Sequence, residues 1–305
     1  MRAAVTGSSG FVGSHLVPYL RSHGDDVVTI DRTGTQPVDV TDAAEVRDVL
    51  RAARPEAVYH LAALSHVGQS WDAPEAVFRI NAVGALNVLR GCIDAGVERV
   101  LVAGSADVYG VVGPEDLPLT EESRIRPVTP YGASKAAADV LALQAYLGDG
   151  LGTLRVRAFN HTGPGQSGSM LVPGLAQRIA DAERAAGSKV KVGRVDVVRD
   201  LSDVRDVVRA YRLLVELGTP GETYNVCSGR GVTVRDVAET MLSMSETPLE
   251  LVVDPELVRP VDVPRLVGDP ARLRAATGWE PQIPLDETLR DVLGAARSRK
   301  QVRPE

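Results

Sequence analysis

The amino-acid sequence predicts an α/β fold in which helices cover both faces of a doubly wound parallel sheet, with a smaller region on the C-terminal side. Up to residue 160, short runs of β-branched apolar residues alternate with longer stretches of helical periodicity. Such alternation specifies βαβ units, whose strands are parallel and buried on both faces. A glycine-rich turn joins the first apolar run to the first helical stretch. Beyond that half, glycine and proline become frequent and the pattern is less regular.

The predicted elements follow one another in regular order along the first half of the chain. The apolar runs are short enough for strands, and the periodic stretches are long enough for helices of three or more turns. A further strand is predicted to end at Asp39 and Val40. The other strands are predicted at residues 3–6, 27–30, 57–60, 100–103 and 153–158, and the helices at residues 11–23, 42–53, 73–95 and 130–148.

The bulk composition excludes several classes of protein. The chain has 305 residues, enough for one large domain or for a large and a small one. Its 34 Lys and Arg are scattered among 40 Asp and Glu, with a net charge of −6, so we expect no nucleic-acid partner. Cys92, Cys227 and the five histidines lack ligand-like spacing, so we predict no disulfide framework, no metal site and a reducing, cytoplasmic setting. The sequence has neither a signal segment nor an uninterrupted apolar run of membrane-spanning length, so we expect no membrane partner.

The first glycine-rich turn is a candidate phosphate-binding loop. Glycines between a strand and a helix allow a sharp turn, and they let backbone N–H groups approach a pyrophosphate. The spacing is GxxGxxG and not the GxGxxG of the standard dinucleotide fingerprint, so a tight turn without a ligand is the alternative. The residues that would surround the pyrophosphate of a dinucleotide are Gly7, Ser9, Gly10, Phe11, Val12 and Gly13.

The second strand ends at Asp31, where a carboxylate is placed to accept hydrogen bonds from the adenosine ribose hydroxyls. A carboxylate repels a 2′-phosphate, so Asp31 favours NAD(H) as the cofactor, whereas Arg32 beside it would accommodate NADP(H). Asp39 and Val40 are placed to meet the adenine, although Asp39 is equally suited to cap the end of a strand.

Three residues form a candidate catalytic group. Tyr131 and Lys135 lie four residues apart on a predicted helix, so their side chains share one face. An adjacent ammonium and an oxidised nicotinamide both lower the pKa of a phenol, which makes Tyr131 a usable general acid or base. Ser105 follows a strand at the edge of the sheet where ligands bind, and it can donate a hydrogen bond to a carbonyl oxygen. A surface Tyr/Lys pair and an ordinary turn serine are the alternatives.

These residues resemble the extended short-chain dehydrogenase/reductase family over essentially the whole chain. The matching strings are TGSSGFVG, HLAA, INAVGALNVL, GSADVYG and YGASK. The resemblance implies a Rossmann-type sheet, an NAD(P)-dependent enzyme, and pairing through helices into a homodimer. It also implies that Ser105, Tyr131 and Lys135 are catalytic and that the cofactor is contacted by Leu61, Ala62, Ala63 and Asn81.

A narrower resemblance concerns the substrate. The strings SHVGQSW, RAFNHTGPGQ, RDLSDVRDVV and RPVDVPRLVGDPARLRAATGWEP are similar to those of GDP-6-deoxy-4-keto-mannose reductases and, in part, of GDP-mannose 4,6-dehydratases. Planar guanidinium groups suit a diphosphate, although ion pairs of the arginines with Asp200, Asp203 or Asp262 are the alternative. The resemblance implies a nucleotide-diphospho-sugar substrate bound by Ser65, His66, Asn160, Val172, Arg199, Arg259 and Asp262.

Three positions depart from the related enzymes. Arg194 stands where an Asn is usual, so the resemblance implies a diphosphate but leaves the identity of the nucleotide base open. Val197 and Val198 replace a more polar pair. We interpret His161 as part of a structured loop and not as a catalyst.

The sequence predicts two regions. Residues 1–160 form the dinucleotide-binding domain, with a return crossing near 196–227, and residues 161–195 and 228–305 form the substrate-binding region.

The expected reaction is reduction of the C4 keto group of a nucleotide-diphospho-4-keto-6-deoxy sugar, with GDP-4-keto-6-deoxymannose giving GDP-rhamnose. A dehydratase would need a carboxylic acid near C5 and C6, and Asp107 stands two residues after Ser105, where family dehydratases have a Glu. GDP-mannose 4,6-dehydration, catalysed by Asp107, and 4-epimerisation of the sugar therefore remain open. A catalytically silent protein that senses dinucleotides is the alternative from a different class.

Overall fold

The computed structural model describes residues 1–34, 37–258 and 263–298. Each strand of the first half coincides with an apolar run, because β-branched side chains pack well on a pleated, buried surface. In the described residues the strands are β1 (Arg2–Thr6), β2 (Asp26–Ile30), β3 (Ala57–His60), β4 (Arg99–Ala103), β5 (Gly152–Ala158), β6 (Asn160–Thr162), β7 (Lys189–Val192), β8 (Val198–Asp203), β9 (Thr223–Val226), β10 (Gly231–Thr233), β11 (Glu250–Val253) and β12 (Arg265–Leu266).

The helices alternate with these strands through the first half of the chain and are equally numerous after it in the described residues. A π-helical turn at Arg79–Val83 joins the third and fourth helices into one continuous rod. The α-helices of the described residues are α1 (Phe11–Ser22), α2 (Ala43–Ala53), α3 (Pro74–Phe78), α4 (Gly84–Ala95), α5 (Pro130–Asp149), α6 (Leu171–Arg184), α7 (Val204–Leu217), α8 (Val234–Ser243), α9 (Ala271–Thr277) and α10 (Leu285–Ser298).

The main sheet has six parallel strands in the order β2-β1-β3-β4-β5-β9. The chain leaves β1 toward one side for β2 and returns to the other side for β3, which makes the gap between β1 and β3 a topological switch point. Ligands of open α/β sheets bind at the carboxyl ends of the strands beside such a point. The predicted doubly wound α/β fold is confirmed.

Alternate residues of the strands pack in two separate hydrophobic cores, one on each face of the sheet. Ala3 and Val5 of β1 pack on one face, together with apolar residues of α1 and α7. Ala4, between them, packs on the other face with apolar residues of α2 and α4. Because successive strand side chains point to opposite faces, this alternation requires helices on both sides of the sheet.

The predicted strand before Val40 is wrong, since residues 37–40 contain no strand and β2 is the edge of the main sheet. Pro37 has no N–H to donate to a ladder. The N–H of Val38 donates instead to the carbonyl oxygen of Asp31, at 2.7 Å. The valines at 38 and 40 are buried in the core, so their apolar pattern reflects packing and not strand pairing.

The rod Pro74–Ala95 is the one helix in the described ranges that is long and apolar enough to cross a membrane. Its 22 residues are largely inside the protein, with 56 % of the most apolar window buried. Core helices of globular folds satisfy the same criteria, so the rod is weak evidence for a membrane span. The cytoplasmic setting stays a prediction.

The smaller region is built around a second, short sheet. Strand β8 pairs with β6 and β12 in parallel and with β10 in antiparallel orientation, and β7 pairs with β11. Its core lies between α6, α8 and α10, with Leu175, Met241 and Leu293 buried at the centre. Within the predicted return crossing, β9 joins the main sheet whereas β8 belongs to this second sheet. The division of the chain into two functional regions stays a prediction.

Candidate active site

The turn between β1 and α1 forms a narrow cradle that requires glycine. Gly7 has a φ of +67°, and a Cβ placed there would lie 2.7 Å from the amide nitrogen of Ala62. A Cβ on Gly13 would lie 2.4 Å from the carbonyl oxygen of Gly7. Gly10 is the N-cap of α1 and supplies no side chain to the first N–H groups of the helix. These groups are free to bind a pyrophosphate, so the cradle fits a dinucleotide.

Asp31 lies beside this cradle and is held by it. Its carboxylate accepts hydrogen bonds from the N–H of Ser9, at 2.9 Å, and from the N–H and hydroxyl of Thr33, at 3.3 Å each. Burial would raise the pKa of Asp31, but these hydrogen bonds outweigh it and the pKa is lowered. Asp31 is therefore a carboxylate at neutral pH, and Arg32 next to it is exposed.

Asp39 and Val40 are placed for structural roles. The carboxylate of Asp39 accepts a hydrogen bond from the N–H of Thr41 at 2.8 Å, and this bond is the main reason that the pKa of Asp39 is lowered. Val40 packs on Gly84, where a Cβ would approach Val40 Cγ2 to 2.9 Å. No strand ends at Asp39, so its carboxylate caps a turn and not a strand. Contact of either residue with adenine stays a prediction.

A cavity of about 630 Å³ opens at the carboxyl ends of β1, β3 and β4 and extends to the smaller region. Seven predicted site residues do not line it, namely Ser9, Asp31, Arg32, Asp39, Val40, Ala62 and Asn81. Arg259 and Asp262 lie outside the described residues. The predicted residues that it brings together are Gly7, Gly10, Phe11, Val12, Gly13, Leu61, Ala63, Ser65, His66, Ser105, Asp107, Tyr131, Lys135, Asn160, Val172 and Arg199.

Helix α5 delivers Tyr131 and Lys135 to this cavity. It begins at Pro130, and the hydroxyl of Thr129 caps it by accepting a hydrogen bond from the N–H of Gly132 at 3.0 Å. The ammonium of Lys135 donates to the carbonyl oxygen of Ala103, the last residue of β4, at 2.7 Å. This bond fixes the helix against the strand that leads to Ser105.

Ser105 and Asp107 lie on the turn that follows β4. The hydroxyl of Ser105 donates to the carboxylate of Asp107 at 3.0 Å. It also accepts the N–H of Asp107, at 3.2 Å, as the cap of a short 3₁₀ turn. Ser105, Asp107, Tyr131 and Lys135 therefore share one wall of the cavity.

The pKa of Tyr131 differs from the prediction. Burial raises it strongly and the charge of Asp107 raises it further, while a hydrogen bond with Ser105 opposes the rise. The expected lowering by the adjacent ammonium is not found, because that ammonium is directed to Ala103 and is itself disfavoured by burial. The phenol is therefore protonated at neutral pH, which is the state that a proton donor needs.

The buried ammonium of Lys135 makes stability depend on pH. Burial lowers its pKa from 10.5 to about 8, so between these pH values the unfolded chain binds more protons than the folded one. Stability rises with pH in such a window. We expect the free energy of unfolding of the wild type, relative to Lys135→Met, to rise by about 3 kcal/mol from pH 8 to pH 10.5. Urea unfolding of both proteins at several pH values measures this difference, and a difference independent of pH would contradict it.

Asn81 is a positioning residue behind the cavity and not a part of its wall. Its side-chain oxygen accepts the N–H of Leu64 at 2.8 Å. Its amide nitrogen donates to the carbonyl oxygen of Leu64, at 3.0 Å, and to the hydroxyl of Ser134, at 2.9 Å. Asn81 thus ties the loop after β3 to the helix that carries Tyr131. Its predicted contact with the cofactor stays a prediction. Ala62 likewise packs behind Gly7.

A buried cation that the sequence analysis missed joins the two catalytic segments. Arg157 of β5 donates to the carboxylate of Asp139 on α5, at 2.8 Å, and to the hydroxyl of Tyr109, at 3.1 Å. Tyr109 follows Ser105 on the same turn, and its hydroxyl donates to Asn225 of β9 at 2.7 Å. No spacing rule links residues so far apart in the chain, so only the folded sheet reveals this network.

On the opposite wall, Arg199 of β8 is held by backbone carbonyls. One of its terminal nitrogens donates to the carbonyl oxygens of Val198 and Val263, at 2.9 and 2.8 Å. Asp200 accepts hydrogen bonds from Ser228, Gly229 and Gly268. Asp203 pairs with Arg205. The alternative ion pairs of Arg199 with Asp200 and Asp203 are therefore not formed.

His161 lies in strand β6, so the predicted loop position is wrong. Its ring stacks on Phe11 at a centroid distance of 6.1 Å, and its Nδ1 lies 3.0 Å from the carbonyl oxygen of Phe159. Burial lowers its pKa, so the ring is neutral at neutral pH. Sequence reasoning missed other residues of the cavity wall, including Arg178 and Tyr211.

Comparison with known proteins decides the family. The sequence model of the GDP-mannose 4,6 dehydratase family matches residues 35–292. The chain belongs to this family. It is 37 % identical to a GDP-6-deoxy-D-mannose reductase from Pseudomonas aeruginosa, with 98 % of each chain covered. It is 31 % identical to a GDP-6-deoxy-D-talose 4-dehydrogenase from Aggregatibacter actinomycetemcomitans, over 91 % of this chain and 92 % of the relative.

The solved structures agree with the family. The structure of RMD from Pseudomonas aeruginosa complexed with NADPH matches with a TM-score of 0.90 and 35 % identity, over 98 % of this chain and all of that one. The family member described here is accordingly an NAD(P)-dependent nucleotide-sugar enzyme of the extended short-chain dehydrogenase/reductase type. A bound nicotinamide would supply a hydride, and Gly7, Gly13, Tyr131 and Lys135 line the cavity that would hold the cofactor.

Proposed function

We propose that the enzyme reduces the C4 keto group of GDP-4-keto-6-deoxymannose to give GDP-rhamnose. The observation that carries this proposal is the buried, protonated phenol of Tyr131, which shares a cavity wall with Ser105 and Lys135. A reduction requires one proton donor at the carbonyl oxygen and no second acid. Support also comes from the two curated relatives, whose names describe a reductase and a 4-dehydrogenase of GDP-6-deoxy sugars.

Each catalytic residue has a distinct part in this reaction. Ser105 donates a hydrogen bond to the carbonyl oxygen and stabilises the negative charge that develops there. Tyr131 transfers its proton to that oxygen as general acid. Lys135 donates to the carbonyl oxygen of Ala103 and thereby holds the helix that carries Tyr131 against the strand that leads to Ser105. We assign binding of the diphosphate to Arg199 and Asn160, which line the same cavity.

Incubation of the purified protein with GDP-4-keto-6-deoxymannose and NADH or NADPH tests the proposal. We expect one cofactor molecule to be oxidised for each sugar reduced, with a 6-deoxyhexose product resolved by chromatography and NMR. Sugar interconversion without net oxidation would replace the proposal by a 4-epimerase. Absence of any reaction with the keto sugar would refute the proposed substrate.

Dehydration of GDP-mannose is the second candidate, because Asp107 lines the cavity within hydrogen-bond distance of Ser105. As a carboxylic acid Asp107 could exchange protons at C5 and C6 of a sugar. Its carboxylate, however, already accepts the hydroxyl of Ser105 at 3.0 Å. Release of water from GDP-mannose without added cofactor would establish the dehydratase.

We infer that the enzyme prefers NAD(H), because the ionised Asp31 lies beside the pyrophosphate cradle, where a 2′-phosphate would meet a like charge. Replacing Asp31 by Ala removes this repulsion. We expect the ratio of kcat/KM for NADH over NADPH to fall by about tenfold or more in the variant. Steady-state kinetics with both cofactors measure the ratio. A wild-type preference for NADPH, or an unchanged ratio in Asp31→Ala, would contradict the inference.

We propose that two copies pair through exposed apolar side chains of α4 and α5. Val140 and Leu147 of α5 are 57 % and 72 % exposed and stand seven residues apart, on one helix face. Val83 and Ile93, in the neighbouring rod Pro74–Ala95, are also exposed, at 47 % and 36 %. We expect wild type to sediment as a dimer and Leu147→Glu as a monomer. Leu217→Glu, at a 57 % exposed position on α7, is the matched control and should remain dimeric. A monomeric wild type would refute the proposal.

A further inference from the structure

Arg178 is a half-buried cation of α6 that lines the cavity and has no partner within the part of the chain that the structure describes. Its Nε atom is inaccessible to solvent and makes no hydrogen bond. No acidic group contributes to its pKa, which is lowered by burial alone. A guanidinium taken partly out of water without a partner is costly unless a ligand supplies acceptors.

The guanidinium is directed toward the beginning of α6. One terminal nitrogen of Arg178 lies 3.6 Å from the position that a Cβ on Gly174 would occupy, one turn earlier. The absence of a side chain at Gly174 leaves room for this head group. At the N-cap, Met170 provides no side-chain hydrogen bond to the helix.

The surroundings of Arg178 suit a planar base better than a diphosphate. Val172 of α6, Val192 of β7 and Leu257 line the same cavity and are apolar. Apolar side chains pack on the face of an aromatic ring, whereas they leave a diphosphate without hydrogen bonds. The cation placed for phosphate, Arg199, stands on a different element, β8.

We propose that Arg178 recognises the guanine base of the substrate by donating two parallel hydrogen bonds to its O6 and N7 atoms. A guanidinium presents two donors at the spacing of these two acceptors. Adenine offers a donor in place of O6, and uracil lacks an equivalent pair of adjacent acceptors. The proposal rests on a GDP-sugar as the substrate and names the residue that selects it.

Calorimetric titration of the purified enzyme with nucleoside diphosphates tests this role. We expect wild type to bind GDP and IDP, which both present O6 and N7, more tightly than ADP and UDP. Arg178→Met should lower the affinity for GDP and IDP by about 10- to 100-fold and leave the affinity for ADP and UDP within about twofold of wild type. Arg178→Lys keeps the charge but loses the paired donors, so it too should lose much of the preference for GDP over ADP.

Controls separate this proposal from the proposed function. Arg184→Met, at the exposed end of the same helix, should bind all four diphosphates as wild type does. Equal weakening of all four in Arg178→Met would identify a phosphate ligand and overturn the base-reading role, as would unchanged binding of GDP. A wild type that prefers UDP would instead remove the GDP-sugar function itself. The midpoint temperature of thermal unfolding without ligand should be no lower in Arg178→Met than in wild type, because Arg178 makes no contact that the fold needs.

Discussion

Replacing Tyr131 by Phe is expected to lower kcat by about 10²- to 10⁴-fold, the usual contribution of a general acid. The phenol is 7 % exposed, lies in the cavity with Ser105 and Lys135, and has a raised pKa. Phenylalanine keeps the packing of the ring but has no proton to give. Cofactor oxidation under saturating substrate measures the loss.

Binding measurements separate lost chemistry from lost structure in this variant. We expect NADH affinity, followed by the change in its fluorescence, to stay within about threefold of wild type, since the cradle formed by Gly7 and Gly13 is untouched. Tyr146→Phe, at a 37 % exposed position on the same helix, is the matched control and should keep full activity. Turnover by Tyr131→Phe close to the wild-type rate would show that another group delivers the proton.

Replacing Gly13 by Ala is expected to abolish tight cofactor binding. The added Cβ would lie 2.4 Å from the carbonyl oxygen of Gly7 and 2.6 Å from that of Ser8, and both are backbone atoms that cannot rotate away. The turn must shift to relieve the overlap. A displacement of this size costs on the order of 100-fold in binding and about 1–3 kcal/mol in the free energy of unfolding.

Gly294→Ala is the control for the cradle variant. Gly294 lies in α10, and a Cβ there would meet nothing within 4 Å. Alanine is about 0.5–1 kcal/mol better than glycine inside a helix, so this variant should be slightly more stable and bind NADH normally. Equal NADH affinities for Gly13→Ala and wild type would exclude the cradle as the pyrophosphate site.

The sequence was most informative where local pattern and chemistry coincide. The strands at β1, β3 and β4 and the helix carrying Tyr131 and Lys135 were predictable, because apolar runs and i, i+4 spacing are local properties. The strand before Val40 was predicted wrongly, since apolar side chains were mistaken for ladder pairing. Local spacing likewise does not show how deeply a side chain is buried. The rise that burial causes in the pKa of Tyr131 was therefore not predicted.

Long-range partners were beyond sequence reasoning. The hydrogen bonds of Asn81 to Leu64 and Ser134 were not predicted, because only the fold brings these residues together. Arg157 and Arg178 were not singled out, because an arginine in a strand or a helix is usually solvated. Whether such a residue is structural or ligand-facing depends on the acids near it after folding: Arg157 has Asp139, and Arg178 has none in the described chain.

The hydrogen bond from Ser105 to Asp107 affects how substrate binding relates to rate. A ketone that accepts a hydrogen bond from Ser105 displaces the carboxylate that already accepts it. Substrate binding therefore exchanges one hydrogen bond for another, with little net gain in binding free energy. A neutral carbonyl competes poorly with a carboxylate for that hydroxyl, whereas an oxygen acquiring negative charge competes well. The serine thereby discriminates between the resting sugar and the reacting one, which is the condition for accelerating turnover without trapping the substrate.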